Sequence, residues 1–238
     1  MKVLSIDIGI KHLAHCLFDV SDTLRIVDWD VIDLTDEHVC ACSKPATHRF
    51  HQTYTCKKHT YPELSLVQLI AQCTSRSIPL GTKAEMKKNL FKEVKVIPPP
   101  TLVDLGQQIM KRYDARFPPV DVVLIENQIG PLATKMKSVQ GLVIQYWLMK
   151  GAKVECISAC NKLKLFHTGK TTYAQRKKLS IHYTEMILSQ NDLTTNFSSH
   201  KKKDDLADAF LQGAYYFEMN CVEKEKKKAK PVIQIDIP

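Results

Sequence analysis

The chain opens MKVLSIDIGIK, and Lys2–Ile8 is an apolar run whose interior carries a single charge, Asp7. Such a run reads as a buried strand, and a carboxylate within it needs a partner to offset the loss of water. Asp7 is therefore a candidate functional acid, and Gly9 suits the turn that follows. After His12, LAHCLFDV and LRIVDWDVIDL read as two more strands joined by a polar Ser-Asp-Thr turn at 21–23, completing an opening three-stranded meander.

Residues 36–60 then turn rich in Cys, His, Thr and Lys and lose periodicity. Thr60 and Glu63 have capping-box spacing, with Pro62 in the first turn, and predict a helix carrying Leu64, Leu66, Val67, Leu69 and Ile70. The stretch 76–100 reads as a basic linker ending in Pro98, Pro99 and Pro100. Thr101 and Asp104 repeat the cap and predict a helix of about 15 residues through Leu105, Ile109 and Tyr113. VVLIE is a central-strand run ending in Glu126. TKMKSVQGLVIQYWLMKG is an amphipathic helix with Met136, Val139, Leu142, Val143, Tyr146 and Trp147 on one side and Gly151 as its stop. A short strand at 153–157 and helices near 172–190 and 203–219 follow, with a flexible tail through Lys230. The expected architecture is α/β, a mixed sheet flanked by helices. Residues 1–35 and 101–220 form one discontinuous domain, 36–100 an insertion, and 221–238 a basic tail.

Lys and Arg number 34 against 25 Asp and Glu, giving +9 and favouring an anionic partner such as nucleic acid. There is no run of 18 apolar residues, and Asp7 interrupts any secretory signal, so no membrane association and an intracellular site are expected. The eight cysteines, irregularly spaced, read as reduced thiols plus a metal site rather than disulfides.

Near the C-terminus stands KKKDDLADAFLQGAYY, 201–216, in which Leu206, Ala207, Phe210, Leu211 and Ala214 recur at helical spacing. Asp205 and Asp208, at i and i+3, project from one side of that helix. Lysine, solvent or a divalent metal can offset their repulsion, and the positive end of the helix dipole also favours acids there.

Taken together, an acid in the first strand, an acid ending a central strand and a D-x-x-D helix form an ordered pattern. It resembles the RNase H-like nuclease superfamily, and within it the RuvC-type Holliday-junction resolvases, especially their poxviral and fungal mitochondrial members. The residues carrying the resemblance are SIDIGIKHLA (5–14), LIENQ (124–128), TTYAQRKKLSI (171–181) and KKDDLADAFL (202–211), with the helix at 134–148. The opening D-x-G-x-K alone also fits sugar kinases and actin-like ATPases. Those need a later phosphate-binding Asp/Gly/Thr motif, which this chain lacks.

The resemblance implies an RNase H-like fold and a structure-selective endonuclease that makes paired symmetric nicks in branched DNA, four-way junctions above all, as a homodimer. It implies Asp7, Glu126, Asp205 and Asp208 as ligands for two Mg²⁺ or Mn²⁺ per active site, with Asp204 an alternative to Asp205. It also implies a basic group from YAQRKKLS near the scissile phosphate, and a viral protein acting in an infected host cell. The chemistry is coherent: phosphodiester hydrolysis needs an activated water and stabilised oxyanions, and hard divalent cations prefer carboxylate oxygens. A branched-DNA-binding protein without cleavage is the rival reading.

Sequence-neutral phosphate contacts come from Lys and Arg. Lys11, Lys135, Lys137, Arg176, Lys177 and Lys178 are the candidates. Cys40, Cys42, Cys56 and His59, spaced C-x-C then C-x-x-H, match a zinc-knuckle-like set for structural Zn²⁺, with His48 and His51 as spare ligands. Chance clustering is the alternative. Cys16, Cys73, Cys156, Cys160 and Cys221 read as core or surface thiols.

Overall fold

The structure, a computed structural model, describes residues 1–20, 24–35, 38–128, 134–167, 169–190 and 196–227. The turn expected at 21–23 and the tail from 228 lie outside the described residues. The strands are β1 (Lys2–Asp7), β2 (Leu13–Val20), β3 (Leu24–Ile32), β4 (His48–Phe50), β5 (Thr53–Thr55), β6 (Lys95–Val96), β7 (Val122–Asn127) and β8 (Lys153–Ser158). The helices are α1 (Lys57–Thr60), α2 (Leu66–Ser75), α3 (Lys83–Leu90), α4 (Leu102–Arg116), α5 (Thr134–Met149), α6 (Tyr173–Gln190) and α7 (Lys203–Lys227). None of the described helices is long and apolar enough to cross a membrane.

These elements fall into two compact units, one of Met1–Thr35 with the chain from Thr101 onward, the other Asp36–Pro100. The first holds a five-stranded mixed sheet in the order β3-β2-β1-β7-β8. The opening meander pairs antiparallel, while β1, β7 and β8 run parallel, as expected of strands separated by helical crossovers.

Side chains alternate between the two faces of this sheet. Leu4, Ile6, Val123 and Ile125 pack with Leu105, Ile109 and Tyr113 of α4 and with Val139, Val143 and Trp147 of α5. Val3, Val122 and Leu124 face the other way, onto Leu206, Ala207, Phe210 and Leu211 of α7 and Leu188 of α6. Asp7 and Glu126 share the parity of that second set, so the pleat turns both acids toward α7.

Two side-chain relationships hold α7 there. Gln212 is fully buried and its Nε2 donates to Ser5 Oγ at 3.1 Å, Ile6 O at 3.3 Å and Leu124 O at 3.2 Å, tying the helix to β1 and β7. The Trp29 indole donates to Leu206 O at 3.0 Å, fixing the first turn. Gly213 permits this close approach, since a Cβ there would stand 2.3 Å from Phe18 Cε2.

Several expectations are corrected. Thr60 does not cap a helix: it ends α1, and α2 begins after Ser65, whose hydroxyl and Gln68 complete the capping box. The reciprocal Ser-x-x-Gln box outcompetes Thr60 and Glu63 because it abuts the apolar positions Leu69 and Cys73 directly. The stretch 76–100 is no mere linker, for it contains α3, boxed by Thr82 and Glu85, and β6. Helix α7 continues past 219 to Lys227. Trp147 is buried inside the first unit and packs edge-on against the half-buried Tyr146.

Candidate active site and metal centre

The parallel register pairs Ile6 with Ile125, so the next positions, Asp7 and Glu126, stand side by side at the carboxyl ends of β1 and β7. Across from them α7 presents Asp208, one turn before Gln212. All three acids converge on Lys162: its Nζ lies 2.7 Å from Glu126 Oε2, 3.2 Å from Asp208 Oδ2 and 3.6 Å from Asp7 Oδ1. The ammonium is almost wholly buried, and a buried lysine is tolerated only where anions surround it.

The electrostatics follow from crowding. Burial pushes the Asp7 carboxyl well above the usual range, reinforced by its hydrogen bond with Glu126 and by the charges of Glu126 and Asp208, while Lys162 opposes the rise. Burial also opposes ionisation of Glu126, but the hydrogen bond to Asp7 and the Lys162 ammonium outweigh it and hold Glu126 below its ordinary value. For Lys162 burial disfavours the charge, yet Asp7, Asp208 and Glu126 overcome this and raise its pKa.

Asp205 is not in that ring of contacts. It stands 3.8 Å from Lys177 and 3.9 Å from Lys202, while Asp204 forms a short hydrogen bond with the same Lys177. Burial and the neighbouring Asp204 raise the Asp205 pKa against the pull of both lysines, whereas at Asp204 the Lys177 contact overcomes burial and lowers it. Of the expected acids, Asp7, Glu126 and Asp208 thus share one cation, and Asp205 lies with Asp204 around a second.

Lys162 was not singled out from the sequence. It follows the short 3-10 turn Ala159–Asn161 after β8, the strand paired with β7 in a register that sets Ile157 beside Glu126. A lysine just beyond a strand neighbouring the acid-bearing one is a weak signal, and only the parallel pairing gives it meaning.

The donor set suits hard divalent cations: half-buried carboxylate oxygens from three elements, more negative charge than one ammonium balances, and one carboxyl already driven toward protonation. Asp7, Glu126 and Asp208 would hold such an ion, with Asp205 beside them on α7.

Among the basic candidates, Lys177 is engaged with Asp204, and its Nζ lies 5.3 Å from the Tyr173 ring centroid. Arg176 donates to Thr171 O at 3.2 Å, and Lys178 is exposed on the same helix. Lys11, Lys135 and Lys137 are exposed, Lys11 in the turn after β1 and the other two in the first turn of α5.

In the second unit Cys40, Cys42, Cys56 and His59 bring their ligand atoms within 4.8 Å of one another. Cys56 is the N-cap of α1, and His59 lies within that helix. The Cys42 and Cys56 sulfurs are 3.8 Å apart, and Cys40 Sγ is 3.2 Å from His59 Nδ1. A tetrahedron of ~2.3 Å metal–sulfur bonds has edges of ~3.8 Å, so the thiol pair fits zinc without rearrangement. Backbone amides of Cys42 and Cys56, with His59, bring the Cys40 thiol down to about 6. The Lys44 amide would lower Cys42 too, but burial beside the Cys40 and Cys56 sulfurs pushes it up. The spare ligands are committed elsewhere: His48 Nδ1 is 2.8 Å from Thr47 Oγ1, and His51 pairs with Glu93 at 3.3 Å.

The chain is 26% identical over 225 residues to the uncharacterized protein L451 of Acanthamoeba polyphaga mimivirus, covering 81% of this chain and spanning 50% of that relative's length. Among solved structures, the fowlpox virus resolvase in complex with substrate Holliday junction DNA matches at TM-score 0.53 and 16% identity, covering 92% of this chain and 99% of that one. This likeness shows the fold. A separate crystal structure of the fowlpox virus Holliday junction resolvase, also 16% identical over the same shares of the two chains, superposes at TM-score 0.49. Residues 84–220 match the poxvirus A22 protein family, and residues 3–129 match the family described as mitochondrial resolvase Ydc2 / RNA splicing MRS1. With these two matches overlapping and together running from the first strand to the last helix, the chain belongs to the resolvase family of mitochondrial Ydc2 and poxvirus A22.

Proposed function

We propose that the chain is a metal-dependent endodeoxyribonuclease that resolves four-way DNA junctions. The observation that carries this reading is the convergence of Asp7, Glu126 and Asp208 on one buried cation at the carboxyl ends of parallel strands. Bound Mg²⁺ or Mn²⁺, two per site, would supply an activated water and stabilise the attacking and leaving oxygens.

The residues themselves bind and orient. Glu126, held ionised by its hydrogen bond to Asp7 and by Lys162, and Asp208 would provide oxygens to the ion, while Asp7 shares a hydrogen bond with Glu126. Asp205 completes the ligand set. Lys162 keeps the acids assembled when no other cation is present. Lys11, Lys135, Lys137, Arg176, Lys177 and Lys178 contact phosphates without reading sequence, which suits a substrate defined by branching rather than base order.

In this reading the enzyme acts as a homodimer, because a two-fold pair of sites matches a roughly symmetric junction and gives paired nicks. The Cys40, Cys42, Cys56 and His59 cluster holds structural Zn²⁺. The mimivirus relative and the poxvirus family match support a viral protein working in an infected cell.

The test is cleavage of a synthetic four-way junction in Mg²⁺, with light scattering for subunit number. Wild type should nick opposing strands symmetrically and spare linear duplex, whereas Asp7→Asn should bind the junction and leave it intact. Junction binding by wild type without nicking in either Mg²⁺ or Mn²⁺ would instead favour a non-cleaving binding protein.

A further inference from the structure

The second unit carries a surface that the nuclease chemistry does not use. Its 65 residues, 36–100, hold ten Lys and Arg against five Asp and Glu, more than half of the chain's net charge of +9. Two of those acids are occupied: Glu85 caps Thr82, and Glu93 pairs with His51. Lys83 and Lys87 repeat at i, i+4 on α3, with Lys88 next to them, and like charges at that spacing repel. Neither Lys87 nor Lys88 forms an ion pair among the described residues.

Beside these lysines lies a groove of about 390 Å³ lined by Tyr61, Pro62, Glu63, Lys87, Lys88 and Phe91. Tyr61 is 43% exposed, and its ring meets Phe91 edge-to-face with centroids 5.3 Å apart. Aromatic faces interleaved with lysines form the pattern by which proteins hold unpaired nucleotides: bases stack on the rings and phosphates meet the ammonium groups. Glu63, the one acid in the groove, repels phosphate from its own position and offers an acceptor to an exocyclic base amine.

The groove is built on the Cys/His cluster. Tyr61 is the C-cap of α1, the helix that Cys56 caps and that includes His59, so the position of the stacking ring follows from the metal ligands.

We infer that this groove binds unpaired nucleotides of a DNA strand, with Tyr61 and Phe91 as the stacking floor and Lys87 and Lys88 as phosphate contacts. The inference rests on the branched-DNA reading of the chain and adds to it a second contact, specific for single-stranded segments.

The experiment uses the full chain carrying Asp7→Asn, with fluorescein-labelled oligothymidylate, linear duplex and four-way junction as probes, read by anisotropy across a salt series. Tyr61→Ala should weaken oligothymidylate binding about 5- to 150-fold and leave duplex binding unchanged, as expected for loss of one base stack. Lys87→Glu with Lys88→Glu should reduce the slope of log K against log salt on that probe by about 1.4, at ~0.7 per phosphate contact. Retained metal content and circular dichroism keep misfolding apart from lost contacts. Unchanged affinity and slope in metal-replete variants would overturn the groove, as would equally tight displacement by poly-glutamate. Junction cleavage by wild type is scored separately: cleavage with unaltered variant binding sinks the groove alone, and lost variant binding without wild-type cleavage sinks the resolvase reading alone.

Discussion

Lys162 Nζ stands 2.7 Å from Glu126 Oε2, and the same ammonium reaches Asp208 and Asp7, so a single buried cation balances acids from two strands and a helix. Removing one partner of a buried charge cluster leaves the others uncompensated, typically at ~3–5 kcal/mol. Lys162→Met should therefore lower metal-free stability in urea by about that amount. Added Mn²⁺ should recover most of it in the variant and far less in wild type. Equal sensitivity of both proteins to Mn²⁺ would contradict this balance of charges.

Asp204 and Asp205 compete for the remaining ligand role. Lys177 already holds Asp204 as an ion, whereas Asp205 is crowded by burial and by Asp204. A carboxylate whose charge lacks compensation gains more from an added cation. Asp205→Asn should thus reduce junction cleavage by about 10²-fold or more, in the range of lost electrostatic stabilisers. Asp204→Asn should cost clearly less, and single-turnover rates at saturating Mg²⁺ decide between them.

The His15, Asp28 and Arg116 network on the opposite side of the first unit sets a pH dependence. His15 is fully buried, 3.0 Å from Asp28 Oδ2, and burial lowers its pKa despite that carboxylate. The unfolded chain therefore takes up a proton below about pH 6.5 that folded His15 refuses, and stability falls as pH drops from there toward the lowered folded value. Asp28 is held far below the carboxylate range: burial opposes this, but Arg116 and His15 outweigh it, so its contribution is complete above about pH 4 and lost in stronger acid. Urea midpoints for wild type and His15→Gln should diverge between pH 8 and 5, with the variant showing the flatter profile. Parallel profiles would rule out His15 as the source.

Gly213 pits helix propensity against packing. Alanine in mid-helix gains about 1 kcal/mol over glycine. Its Cβ would also lie 2.3 Å from Phe18 Cε2, and overpacking of a rigid ring costs ~1–3 kcal/mol or more. Gly213→Ala should be net destabilising, and Phe18→Leu combined with it should recover part of the loss. A stabilised single variant would mean that α7 does not pack as closely on β2 as found.

Among the described residues the second unit has a buried hydrophobic cluster of Leu69, Cys73, Met86 and Leu90, small for an independently stable fold. Metal binding should therefore supply much of its folding energy. Cys56→Ser should lower bound zinc, measured by colorimetric release, and render 36–100 protease-sensitive. Stoichiometric zinc with unchanged proteolysis would remove Cys56 from the ligand set.

Much of this arrangement is legible in the chain itself. The apolar runs KVLSID and VVLIEN already mark Asp7 and Glu126 as lone acids at the ends of buried strands, and Thr101 with Asp104 marks the start of α4, because these are local rules acting over a few residues. The Cys/His spacing is local in the same sense. By contrast, the choice of Ser65 over Thr60 as a cap, and the helix at Lys83–Leu90, depended on which apolar residues found a core.

The order of acids, the buried strands and the basic balance follow from the amino-acid sequence alone, since burial and charge are properties of residue types. Tertiary structure decided that Lys162 stands among the acids, that Trp147 is buried, and that Asp204 rather than Asp205 takes the short bond to Lys177. The physical reason is that a buried charge and a packed ring are stable only with partners from distant segments, and those partners exist only once β1, β7, β8 and α7 have come together.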